Sequence, residues 1–211
     1  MKKALFSILL FLCSIGVSAQ IPARVTEIMN KVNDVMDIET GSILEMKMSI
    51  SMLVSMGSVN IKSYQKDNKE YSVIEGSILG KQVKQISGDD GIKHWEFDSL
   101  TDSLIITKSE DAEKSEYDLD LSLSKDYKKA TLKDKSKYYE ITFTDPYDEK
   151  ETPSRTVIKI RKEDYMFEEM SAKMGPLKMT MTLVNFQKTV PNDKYFVFRQ
   201  SDFPNAKIEY K

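Results

Sequence analysis

The chain has 211 residues, with 31 Lys or Arg against 33 Asp or Glu, for a formal net charge of −2. That balance, with arginine only at Arg24, Arg155, Arg161 and Arg199, excludes the basic face that nucleic acid requires and argues against arginine-rich phosphate recognition. One cysteine and one histidine leave little material for thiol or metal chemistry.

Residues 1–19 combine Lys2 and Lys3, an apolar run from Ala4 to Val17 and a small-residue site at Ala19. This is the pattern of a cleaved signal peptide, and the apolar run is short for a membrane span. The expected mature chain starts at Gln20 and is one domain, 20–211, exported to the periplasm. Cys13 lies inside the apolar run and follows Leu12 rather than a small residue, so no lipid attachment is expected there. Cleavage leaves 192 residues, no cysteine and a charge of −4, since Lys2 and Lys3 are lost.

In chain order, Val25, Ile28, Met29, Val32, Val35 and Met36 recur at helical spacing, and Pro22 and Gly41 suit the two ends, so a helix is expected over 22–38. After it the period changes to two. Strands are expected at 43–56, 58–65, 70–76, 81–87, 92–98 and 103–108, separated by turn chemistry such as "KDNKE" and "GDDG". Residues 109–130 are charged and irregular, and are expected as a surface segment with one or two short helices. Strands resume at 137–144, 155–161, 165–172, 177–187 and 195–199. The fold class is mainly β with helices (α+β): a curled, incompletely closed antiparallel β-barrel. Its concave face is covered by the N-terminal helix and by 109–130 as a helical lid.

Chemistry-bearing patterns are few. His94 has no partner at metal-ligand spacing and is expected as a polar or half-buried sheet residue; no metal, cofactor or catalytic residue is expected. The distinctive stretch is "EMKMSISMLVSM" at 45–56. Met46, Met48, Ile50, Met52 and Val54 fall on one strand face, and Met179 and Met181 do the same in "LKMTMTLVNF". Methionine suits surfaces that accept varied apolar partners, but it also fills ordinary cores, and periodicity does not separate the two.

The ordered set "VTEIMNKVNDVMDIE", "SILEMKMSISMLVSM", "KQVKQISGDDGIKHWEFDS" and "DKYFVFRQSDFPNAKIEY" resembles the periplasmic lipoprotein carriers of the LolA type and their superfamily. The resemblance spans nearly all of 20–211. It implies a non-enzymatic protein that binds lipid or lipoprotein acyl chains in an apolar concavity. In its fullest form it implies lipoprotein transport from an inner-membrane release complex to an outer-membrane acceptor. The second hairpin, "IKSYQKDNKE", lacks the Arg-Pro pair of the carriers, so no latch residue is carried over. The alternative on the same fold is an envelope regulatory or protein-interaction domain without lipid cargo. The candidate lipid-binding residues are Met46, Met48, Ile50, Met52, Val54, Trp95, Phe97, Ile141, Phe143, Met179 and Met181. Ile28, Met29, Val32 and Met36 form the lid face of the helix.

Overall fold

The structure, a computed structural model, describes residues 21–36, 41–112, 123–148, 150 and 152–211. Helix α1 (Ala23–Met36) starts where the Pro22 carbonyl accepts the Val25 and Thr26 amides. Its apolar stripe of Val25, Ile28, Met29 and Val32 is buried, as the 3.6-residue period requires.

Twelve strands follow among the described residues: β1 (Ser42–Ser51), β2 (Ser55–Lys66), β3 (Lys69–Ile78), β4 (Lys81–Asp89), β5 (Lys93–Asp98), β6 (Ser103–Lys108), β7 (Tyr127–Asp134), β8 (Tyr138–Pro146), β9 (Arg155–Arg161), β10 (Phe167–Met174), β11 (Leu177–Lys188) and β12 (Lys207–Tyr210). They form one sheet in the order β12-β6-β5-β4-β3-β2-β1-β11-β10-β9-β8-β7. Two antiparallel meanders, β1–β6 and β7–β11, are thus joined by the pairing of β1 with β11. β12 adds to β6 in parallel, and β7 and β12 remain unpaired with each other, so the barrel is open.

Register divides the sheet into two faces. On the inner face, one row of cross-strand neighbours runs Leu132, Ile141, Ile158, Met170, Met181, Met48, Val59. Together with α1 these side chains, Met181 apart, belong to one apolar cluster, which also takes in Ile78 and Val83. Residues eight strands apart in sheet order share that cluster because the sheet curls around the helix.

The outer face of β3–β6 has its own core. Val73, Ile86, Phe97, Leu104 and Ile208 form a row there, and the C-terminal segment packs over it. Phe198 lies 5.4 Å from Trp95 and Phe203 lies 5.2 Å from Phe97, centroid to centroid. Tyr195 stacks on Tyr64 at 4.0 Å. Gly88 makes room for the indole: a Cβ there would stand 2.2 Å from Trp95 Cζ2. Lys66 Nζ to Asp193 Oδ1, at 2.6 Å, ties the start of this segment to the end of β2.

Several expected elements are corrected. The first strand ends at Ser51 and the next begins at Ser55, so Met52 and Val54 lie in the turn between them and Met56 belongs to β2. Of the expected surface segment 109–130, Ser109–Asp111 and Leu123–Lys125 are single 3-10 turns, residues 113–122 lie outside the described residues, and Tyr127 begins β7. β7 escapes the period-two test because Lys128, Lys129 and Lys133 dominate it; lysines protect an edge strand from further pairing. The alternation in 195–199 is real but makes no ladder. Asp193–Phe196 is a 3-10 turn, and Phe196 and Phe198 turn inward while Val197 is exposed.

Candidate functional site: the open end of the inner face

The position of α1 decides which part of the inner face is open. Arg24 Nη2 donates to the Tyr139 hydroxyl at 3.3 Å, Lys31 Nζ to the Tyr165 hydroxyl at 3.4 Å, and Lys188 Nζ to the Asp34 carbonyl at 3.3 Å. Tyr139 is the second residue of β8, Tyr165 lies in the β9–β10 turn and Lys188 closes β11. All three mark the same end of the sheet, so the helix crosses that end. Its lid residues Ile28, Met29 and Val32 are sealed against the floor, and Met36 is half-buried beside them.

Among the described residues, the opposite end is closed along β7–β9. There the Tyr127 hydroxyl donates to the Pro153 carbonyl at 2.8 Å and lies 2.7 Å from Thr156 Oγ1. Burial pushes the Tyr127 phenol above its ordinary range, and the bond with Thr156 opposes this. Ile141 and Phe143 are fully buried under this closure. They are therefore core and not an open wall.

Along β1, β10 and β11 no such closure covers the inner face among the described residues. Exposure rises along a single strand face: Met46 is 6 % exposed, Met48 and Ile50 are half-buried, and Met52 in the following turn is 51 % exposed. Register places Met181 opposite Met48 and Met179 opposite Ile50, and both are half-buried, as is Met170 beyond them. The methionines thus change role along the strand, from core at Met46 to an accessible apolar floor at Met48 and Met181. Met48 to Met52, the accessible part of this face, spans roughly 13 Å at about 3.3 Å per strand residue.

Glycine shapes the side of this floor. Gly76 sits in the inner row between Val59 and Val83. A Cβ there would stand 2.2 Å from the Ser58 carbonyl oxygen. The close approach of β2 and β3 leaves backbone where a side chain would otherwise fill the trough.

Trp95 and Phe97 do not join the floor. Ile74 on the inner face pairs with Gln85, which pairs with Asp98, so the neighbouring Phe97 and, two residues earlier, Trp95 point to the outer face. There they form the core beneath the C-terminal segment. Strand alternation alone fixes which residues share a face, but not which face carries the helix.

His94 is buried rather than half-buried. Its Nε2 lies 3.1 Å from Glu96 Oε1 and its Nδ1 lies 3.6 Å from Asp89 Oδ2, which also accepts the Ser109 hydroxyl at 2.8 Å. Asp89 Oδ1 is held by the Gly91 amide at 2.7 Å. This is a satisfied polar knot at the far end of β4–β6, away from the methionine floor. Among the described residues no group of three or more His, Cys, Asp or Glu could hold a metal ion, and no helix is long and apolar enough to cross a membrane.

No protein-family model and no curated protein matches the sequence. Solved structures do match the fold. The Mycobacterium tuberculosis lipoprotein LppX aligns with TM-score 0.53 at 13% identity, over 80% of this chain and 98% of that one. An uncharacterized conserved protein of Thermus thermophilus aligns with TM-score 0.51 at 10% identity, over 89% and 99% of the two chains. A LolA superfamily protein of Nitrosomonas europaea aligns over 87% of this chain and 99% of its own, with TM-score 0.37 at 9% identity. At these identities the likeness is one of fold, carried by the two structures with TM-scores above 0.5, and it covers 80% and 89% of this chain.

Proposed function

We propose that this protein binds the acyl chains of lipids or lipoproteins on the open part of its inner face, within the bacterial envelope. One observation carries the reading. A continuous apolar row is sealed under α1 at one end and left half-buried at Met48, Ile50, Met179 and Met181 at the other. A fixed core has no reason to stop covering its own row midway, since each uncovered Leu- or Met-sized side chain forgoes roughly 1–2 kcal/mol of burial. An acyl chain laid along β1 and β11 supplies that cover. Methionine fits the task because an unbranched thioether adapts to chains of differing shape.

The fold likeness to the Mycobacterium tuberculosis lipoprotein LppX supports an envelope location, and the half-covered apolar row supports lipid or lipoprotein acyl chains as the class of cargo. Carriage of lipoproteins between membranes is the fullest form of this proposal. Ligand contacts fall to Met48, Ile50, Met179 and Met181, with Met52 at the mouth.

Native mass spectrometry of detergent-free protein tests the reading. A bound lipid, reduced by Met48→Gln and by Met181→Gln in protein of near wild-type stability, is the expected result. An apo mass, with no saturable uptake of a fluorescent fatty acid, would leave the protein-interaction domain as the better account.

A further inference from the structure

Three hairpins adjacent in the sheet, β3–β4, β1–β2 and β10–β11, turn at the same open end of the barrel. Their tips are apolar and exposed: Leu53 is 96 % exposed, Val54 74 %, Leu79 70 % and Met174 38 %. Single exposed apolar residues are ordinary on soluble proteins. A set gathered on neighbouring tips, contiguous through Met52 with the half-buried floor, is a patch.

Charge in the same turns has one sign. Residues 51–55 carry none, the β3–β4 turn is followed by Lys81, and Lys173 and Lys178 flank Gly175 and Pro176. All three lysines are exposed, and no carboxylate interrupts these turns.

Leu79 adds an independent observation. Leu79 and Gly80 form the two-residue β3–β4 loop with φ of 51° and 76°. Such a loop favours Asn or Asp before Gly, because a leucine at positive φ is strained. Both backbone strain and exposure to water act against leucine at this position. Its presence calls for an apolar surface that it meets from outside.

We infer that this rim docks the open end of the barrel onto an anionic lipid surface. Leu53, Val54 and Leu79 enter the boundary between headgroups and acyl chains, and Lys81, Lys173 and Lys178 face the phosphates. The inference deepens the acyl-binding reading and rests on it for its purpose: docking would bring the floor into contact with lipid without exposing a chain to water. Docking itself stands on the rim alone.

Flotation of the full mature chain with vesicles tests it. Wild type should float with phosphatidylglycerol–phosphatidylethanolamine vesicles, and far less with pure phosphatidylcholine. Leu53→Gln and Leu79→Asn should each weaken partitioning about tenfold, the scale of one lost leucine burial. Leu79→Asn should melt no lower than wild type, since asparagine tolerates the positive φ, so its loss of docking is not unfolding. Val184→Gln, an exposed position at the β1–β11 bulge near the helix end of β11, should float normally. Fatty-acid uptake in solution, measured on the same variants, separates the two ideas. Uptake retained while flotation is lost is the expected pattern. Flotation through the rim without uptake would refute acyl binding and leave docking standing. A wild type that ignores anionic vesicles, or Leu53→Gln and Leu79→Asn variants that float as well as wild type, would overturn the docking inference.

Discussion

Met46 and Met48 are two residues apart on one strand face, and the account assigns them opposite roles. Met46 is 6 % exposed between Ile61 and Leu183, inside the cluster around α1. Truncation to alanine there leaves a cavity in addition to the lost transfer energy, about 2–5 kcal/mol in all. Met48 is half-buried at the edge of the open floor. Its truncation forfeits the larger part of one side chain's burial, roughly 1–2 kcal/mol, but opens no sealed cavity. A domain of this size loses about 2–4 °C of melting temperature per kcal/mol. Met46→Ala should therefore lower Tm by roughly 4–20 °C and Met48→Ala by about 2–8 °C, the loss at Met46 being about twice that at Met48 or more. Scanning calorimetry with matched urea titrations, without lipid, gives both numbers. Equal losses at the two positions would refute the division of the strand into core and floor, and with it the open site.

Trp95 is the only tryptophan, and it lies 1 % exposed on the outer face beneath Phe198. Its emission should be blue-shifted and insensitive to acyl ligands on the inner face, and Phe203→Ala, which loosens the covering segment, should shift it to the red; a large change on fatty-acid binding would contradict the two-face assignment. The Lys66 ammonium holds the Asp193 carboxyl below the usual carboxylate range. The ion pair therefore favours docking of the C-terminal segment at neutral pH and stops doing so as pH falls through that depressed value. The difference in Tm between wild type and Asp193→Asn, small because the pair is exposed, should accordingly be present at neutral pH and vanish in acid. A difference that grew on acidification would reverse the assigned sign.

Much of this architecture was legible in the sequence because alternation and turn chemistry act locally. The spacing of Val25 through Val32 marks the helix and its buried stripe, and the period-two run at 43–56 marks β1 and its methionine face while running past the strand's end at Ser51. What failed depended on information that alternation does not carry. Trp95 and Phe97 alternate correctly, yet they face the C-terminal segment, because which face receives which cover is settled by residues a hundred positions away. β7 hides behind edge lysines. Phe196 and Phe198 alternate like a strand but pair with nothing, since their burial comes from aromatic packing rather than from a ladder. Within the candidate site the methionine face was readable, and the gradient of cover along it was not. That gradient follows from where α1 crosses the sheet, which the bonds of Arg24, Lys31 and Asp34 fix.

The central claim is a location, and cross-linking tests location directly. The protein would be equilibrated with a diazirine-bearing fatty acid, irradiated, digested and mapped by mass spectrometry. The account predicts labels on the inner-face residues of β1 and β11, at Met48, Ile50, Met179 and Met181, competed away by excess unlabelled fatty acid. Labels confined to the outer face around Trp95, or no competable labelling at all, would contradict it.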